Sequence, residues 1–255
     1  MPALRLGSTA PDFVAETTQY VDKRYGYLYN SGLIRFHEWI DQSWAVLFSH
    51  PDDFTPVCTT ELGDVAVRAE QFAARGVKVI GISANSVASH IVWIQDINDV
   101  ASACVHFPII GDRDRKVSAL YGMLDEQDLS NTDSTGMPYT VRDVFVIDPN
   151  KVIRLKISYP ASTGRNFDEI LRAIDSLQLG DAYPIVTPAN WNPGQKVIVH
   201  AKLGNEEAKK HFQVYDTKKP YLRYTDDPRK SIKASLWDKI CALFSKSYAA
   251  DKDNA

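Results

Sequence analysis

The sequence predicts an α/β fold: a central mixed sheet flanked by helices, followed by a small C-terminal domain. Two observations carry this. Over the first ninety residues, short apolar runs alternate with helical patterns, as in βα units. Further on, two apolar runs flank Asp148-Pro149-Asn150-Lys151, turn chemistry that joins antiparallel strands. Units of the first kind followed by a hairpin and a helix give a mixed sheet covered on both faces.

The elements read as follows. Residues 33–38 and 43–49 are strands. Residues 57–75 form a helix, with Leu62, Val65, Phe72 and Ala73 at helical spacing and Gly76 near its end. Val77-Lys78-Val79-Ile80-Gly81-Ile82-Ser83 is a buried parallel strand. Residues 87–97 are a helix with Ser86 as N-cap. A short strand at 107–110 and a short helix at 115–121 precede the hairpin strands 141–147 and 152–158, and a helix covers 167–177. After Leu179, Pro184, Pro188 and Pro193 punctuate a stretch that wraps the surface, with a strand at 196–199 and a helix at 205–211. The segment 19–31 is tyrosine-rich, and alternation in Tyr25-Gly26-Tyr27-Leu28-Tyr29 reads as an extra hairpin. The expected divisions are 1–180, 181–228 and an amphipathic tail at 229–255.

Bulk composition excludes several classes. The 255 residues are 44% hydrophobic and 24% charged, ordinary for a soluble globular protein. A net charge of −3 gives no reason to expect nucleic acid. No stretch approaches the ~18 apolar residues of a membrane span. The opening residues lack a signal-peptide hydrophobic region. Three cysteines, at 58, 104 and 241, fit neither a disulfide framework nor a zinc spacing, which suits a reducing compartment and a cytoplasmic location.

Cys58 lies in Ser49-His50-Pro51-Asp52-Asp53-Phe54-Thr55-Pro56-Val57-Cys58-Thr59-Thr60-Glu61-Leu62, where a strand-to-helix loop enters a helix. Pro56 suits a first helical turn. A cysteine there faces backbone N–H groups without an intrahelical partner, and these with the helix dipole favour thiolate over thiol.

This run resembles the active-site loop of the peroxiredoxins, thiol peroxidases on a thioredoxin-like fold. Their Pro-x-x-x-Thr-x-x-Cys pattern is matched by Pro51, Thr55 and Cys58, and the longer run is most similar to the one-cysteine subgroup. The likeness extends from Ala10-Pro11-Asp12-Phe13 through Phe107-Pro108-Ile109-Ile110 and Tyr159-Pro160-Ala161 to Tyr221-Leu222-Arg223-Tyr224-Thr225. It implies a peroxidase domain, then the subgroup's small C-terminal domain. It also implies reduction of hydrogen peroxide and organic or lipid hydroperoxides, a homodimer, and no resident cofactor or metal.

The chemistry sets what Cys58 needs. A helix N-terminus supplies about 0.3–1 kcal/mol, so a neighbouring cation must do more to hold a thiolate. The resemblance nominates Arg142, which opens an apolar strand where a long cation would be odd core filler. Charge grows on the departing oxygen as sulfur attacks a peroxide, and Thr55 O–H, the Cys58 N–H and Arg142 can stabilise it. Pro51 shapes the loop. Glu61, one helical turn beyond Cys58, either grips the arginine fork bidentately or serves the helix dipole. His50 either bonds near the peroxide or is a buried histidine tied to backbone. Trp93 is either an aromatic beside the pocket or a core residue.

The first product is a Cys58 sulfenic acid. Cys104 reads as a small buried residue, and Cys241 lacks the Val-Cys-Pro context of a resolving cysteine. The expected reductant is therefore external, glutathione or a thioredoxin-type protein. Three rival readings are weaker. A thiol–disulfide oxidoreductase wants Cys-x-x-Cys, and Thr55 stands in the partner position. The phospholipase credited to some animal members would use Ser43 and His37, but Asp41 and Ala45 replace the glycines and Asn150 the aspartate. The basic amphipathic tail either lies on an anionic membrane surface or packs on protein, and packing is the expectation.

Overall fold

The computed structural model describes residues 4–21, 29–212 and 215–232. The hydrophobic runs pair into a seven-stranded sheet. Strand β1 (Val14–Tyr20) runs antiparallel to β2 (Tyr29–Arg35), from Val14 opposite Arg35 to Tyr20 opposite Tyr29. The described ends of the tyrosine-rich segment thus extend this ladder. Residues 22–28, which hold most of the alternation, lie outside the described residues.

Strand β3 (Trp44–Ser49) lies parallel to β4 (Val77–Ser83), which lies parallel to β5 (Ile109–Gly111). On its other side β3 is antiparallel to β6 (Arg142–Ile147), which turns back into β7 (Ile153–Tyr159). The strand order is β2-β1-β5-β4-β3-β6-β7. Every residue of β6 is buried, and apart from Arg142 and Asp143 the strand is a continuous apolar run.

The helices of this part are α1 (Phe36–Ile40), α2 (Pro56–Val67), α3 (Ala69–Ala73), α4 (Val87–Ala101), α5 (Lys116–Tyr121) and the start of α6 (Phe167–Ala182). The Ser86 side chain caps α4 by accepting from Ser89 N. The core gathers Phe36, Ile40, Leu47, Ile82, Tyr121 and Phe145, with Tyr121 edge-on to Phe145 at 5.3 Å.

Two element expectations change. Residues 36–38 are helical rather than extended: on a strand Glu38 would share the face of Phe36 and Ile40, whereas the helix buries those two and leaves Glu38 exposed. The 57–75 helix divides at Arg68, whose backbone leaves helical values, and α3 then buries Phe72.

A second unit begins at Arg172. Its elements are β8 (Ile185–Val186), β9 (Val197–Val199), α7 (Asn205–His211), β10 (Tyr215–Lys219), β11 (Leu222–Thr225) and α8 (Arg229–Ile232). The strands order as β10-β11-β9-β8. The proline-punctuated stretch does more than wrap: Trp191 is buried among Leu179, Ile185, Val197 and Phe212, with the Arg229 guanidinium 5.9 Å from its ring. Residues 233–255, including Cys241 and most of the amphipathic pattern, lie outside the described residues.

Gly63 is where α2 meets α4. A Cβ there would sit 2.9 Å from Ala101 Cβ. Gly63→Val should cost about 1–3 kcal/mol by overpacking, read as a lower urea midpoint. An unchanged midpoint would show that the two helices separate freely.

Candidate active site

Strand β3 ends at Ser49, and the chain passes through His50 and the buried Pro51 before α2 begins. Thr55 is the extended N-cap of α2 and Pro56 its first residue, so Cys58 stands in the first turn. Its N–H therefore lacks an intrahelical acceptor. The Cys58 side chain is fully buried.

Arg142, at the start of β6, is only 3% exposed and is no edge charge. Its Nη1 donates to Cys58 Sγ at 3.2 Å and to Glu61 Oε2 at 2.8 Å. Its Nε and Nη2 donate to the Ala161 carbonyl at 2.9 and 2.6 Å. With those donors occupied, Arg142 meets Glu61 through one nitrogen, not the bidentate grip expected.

The bidentate partner is Arg165, a residue the sequence reading did not single out. Its Nε and Nη2 bond Glu61 Oε1 and Oε2 at 3.0 and 2.7 Å, and its backbone N bonds Oε1 at 2.7 Å. Nη1 donates to Ser49 O and Asp143 O, while the guanidinium lies over Phe48 and Phe167 at 5.0 and 5.6 Å. The available signal was one arginine in a Gly164-Arg165-Asn166-Phe167 loop, beside an aromatic it could stack on. Glu61 is not a first-turn acid of α2. Burial alone would raise its carboxyl, but Arg165 and then Arg142 outweigh that and hold it below the usual carboxylate range.

Thr55 has a different hydrogen-bond role from the one expected. Its hydroxyl donates to Asp52 O at 2.9 Å, so it presents lone pairs to an incoming group rather than its proton. His50 is fully buried and bonds a side chain instead of backbone: its Nε2 meets Asp53 Oδ1 at 3.0 Å, and Nδ1 has no partner. Burial pushes its imidazole below the usual range, with His90 and Arg165 adding to that and Asp53 opposing it. Trp93 is buried, 5.0 Å from the His50 ring, and donates Nε1 to Thr59 Oγ1 at 3.1 Å. It is thus a core residue that also backs the site. Phe54, at φ 54°, projects from the loop half-exposed.

Other predicted residues lie apart in role. Cys104 is half-buried, not buried, with its sulfur 3.4 Å from Tyr29 Oη. The ring of His37 meets the Ala10 carbonyl through Nε2 at 2.7 Å. Donor atoms of His50, Asp53 and His90 lie within 4.8 Å of one another, a spacing that could hold a metal ion. Here those atoms are hydrogen-bonded among themselves.

Comparison with known proteins finds the same chemistry. Residues 6–156 match the AhpC/TSA family, and 176–213 match the C-terminal domain of 1-Cys peroxiredoxin. Peroxiredoxin-6 of Gallus gallus is 47% identical, covering 89% of this chain and 100% of that protein. The mitochondrial peroxiredoxin PRX1 of Saccharomyces cerevisiae is 48% identical over 88% of this chain and 81% of its own. The crystal structure of a cysteine-to-serine mutant of Arenicola marina peroxiredoxin 6 superposes with TM-score 0.80 at 43% identity, covering 89% of this chain and 99% of that one. A structure of the yeast mitochondrial 1-Cys peroxiredoxin, described as resolving its thiol through glutathione/thioredoxin systems, superposes with TM-score 0.76 at 47% identity, covering 88% and 99%.

Glu61→Gln leaves two buried guanidinium groups without their shared carboxylate. It should cost about 3–5 kcal/mol at neutral pH. Because the folded carboxyl is depressed, its contribution is present above the unfolded value of about 4.3 and lost as pH falls below it. The variant should therefore lose less stability than the parent on acidification below that point. Parallel acid losses would show that Glu61 does not couple to folding.

Proposed function

The chain belongs to the AhpC/TSA family, in its one-cysteine peroxiredoxin group, and from that premise we propose how its buried sulfur turns over. The chain is a thiol-dependent peroxidase. The observation that carries the mechanism is Arg142 Nη1 lying 3.2 Å from Cys58 Sγ while Glu61 and Ala161 hold the same guanidinium.

Cys58 thiolate attacks the nearer oxygen of a hydroperoxide. A sulfur–oxygen bond forms and the oxygen–oxygen bond breaks. The electron pair leaves on the far oxygen, which takes a proton and departs as water or an alcohol. Arg142 and the free Cys58 N–H face the growing charge, where preorganised donors act on the transition state more than on the ground state. Thr55 accepts from the peroxide O–H, since its own proton is engaged with Asp52. Pro51, Trp93 and His50 line the loop base and keep water out. The half-exposed Phe54 gives an apolar rim, which supports organic and lipid hydroperoxides as substrates beside hydrogen peroxide.

The sulfur is left as sulfenic acid. An external thiol then attacks it, releasing water and forming a mixed disulfide, and a second thiol frees Cys58. The yeast relative's glutathione/thioredoxin route supports that choice of reductant. The cycle uses no resident cofactor. The subgroup likeness supports a homodimer, and the cysteine usage supports the cytoplasm.

Arg142→Met should slow single-turnover oxidation by about 10²-fold, even on the alkaline plateau where the thiolate is fully formed. A pH–rate profile that shifts but reaches the parent's plateau would confine Arg142 to ionisation. Intact mass after one equivalent of peroxide should show one added oxygen, and glutathione or thioredoxin should remove it. Excess peroxide should drive the sulfur to the sulfinic state. Loss of two hydrogens instead, with Cys58 joined to Cys104 or Cys241, would make a resolving cysteine part of the cycle.

A further inference from the structure

Behind the peroxidatic loop lies a second buried polar cluster that the catalytic cycle does not use. Asp53, in that loop, is 4% exposed. Its Oδ1 meets His50 Nε2 at 3.0 Å and its Oδ2 meets Ser89 Oγ at 2.7 Å. His90 Nδ1 lies 3.0 and 2.8 Å from the two carboxylate oxygens. The other His90 nitrogen, Nε2, faces the Ile110 carbonyl at 3.2 Å. Asn85 ties the same loop from β4's end, accepting from Asp53 N at 3.2 Å and donating to Asp52 Oδ1 at 2.7 Å.

The hydrogen bonds decide the roles. Asp53 is met by three side chains, His50, Ser89 and His90, and is held well below the usual carboxylate range: burial raises it, but hydrogen bonds from His50 and His90 outweigh that. A carboxylate only accepts. His50 has one nitrogen facing Asp53 and the other without a partner. With an ionised carboxylate at Nε2, that nitrogen carries the hydrogen, and Nδ1 is a bare acceptor.

We propose that Asp53 is a positioning residue of the peroxidase reaction: bonded to Ser89 and His90 on α4, it anchors the loop carrying Pro51 and Thr55 and fixes His50 as the neutral Nε2–H tautomer. This rests on the peroxidase reading of the same loop. Asp53 bonds the His50 ring directly, with His90 and Arg165 acting on that ring from further off, so the tautomer depends on Asp53.

The test is ¹⁵N-histidine NMR of the full chain with stopped-flow oxidation by hydrogen peroxide. In the parent at pH 7, His50 should show a protonated Nε2 with a bare Nδ1. Asp53→Asn should mix the His50 tautomers and slow Cys58 oxidation at least tenfold. A parent His50 that carries its proton on Nδ1 would overturn the proposal, as would a folded Asp53→Asn that oxidises at the parent rate. If Asp53→Asn does not fold, the parent spectrum alone decides. If Cys58→Ser abolished neither oxidation nor turnover, the peroxidase reading would fail while the His50 tautomer could still hold.

Discussion

One carboxylate between two guanidinium groups holds the site together. Glu61 is bonded by Arg165 on both oxygens and by Arg142 on one, and all three side chains are removed from water. Burying such charges is expensive unless each is paired and hydrogen-bonded. The Ala161, Ser49 and Asp143 carbonyls supply the remaining acceptors. Two cations against one carboxylate leave a surplus positive charge, and the Cys58 sulfur lies 3.2 Å from one of them. That charge faces the negative charge that moves from sulfur to the departing oxygen. The helix N-terminus adds only a fraction of that effect.

The sheet brings these groups together. Antiparallel pairing of β3 with β6 sets Phe48 opposite Val144, so the end of β3 meets the start of β6. Ser49 locks that junction, donating to Val141 O at 2.5 Å and accepting from Asp143 N at 3.0 Å. Arg142 thereby projects beside the first turn of α2. The loop after β7 returns with Ala161 and Arg165. The Arg165 guanidinium lies on two aromatic rings, which limits the rotamers its long side chain can reach. Asp53 and Asn85 tie the opposite side of the loop to α4 and β4. Cys58 is thus approached by fixed groups from each side, and little reorganisation is needed as charge moves from sulfur to oxygen.

The succession of strands along the chain and the placement of Cys58 at a helix entry were legible because each rests on local pattern, whereas Arg142 was nominated by the family resemblance. Apolar runs mark the strands, and proline and threonine mark the helix entry. Contacts made across the fold were less legible. Arg165 is one arginine in a polar loop, and only the folded chain shows that it grips Glu61. Asp53 reads as one of two loop acids in Asp52-Asp53, and its histidine partner lies on α4. The Thr55 hydroxyl looked like a donor because nothing local shows that Asp52 O already takes its proton. Arg35-Phe36-His37-Glu38 alternates like a strand, yet a strand would put Glu38 on the buried face with Phe36 and Ile40, and the helical turn places it in solvent instead.

The central claim is that the charge of the whole cluster, beyond the Arg142–sulfur contact, sets the reactivity of Cys58. Arg165→Met removes one cation whose bonds run to Glu61 and to backbone carbonyls. The decisive measurement is the single-turnover rate of Cys58 oxidation at pH 7 in that variant, with circular dichroism to establish the fold. The account predicts a folded protein in which the rate falls by about tenfold or more, because Glu61 then balances Arg142 and no surplus charge is left to act on the sulfur and the departing oxygen. A folded Arg165→Met protein that reacts at the parent rate would contradict it.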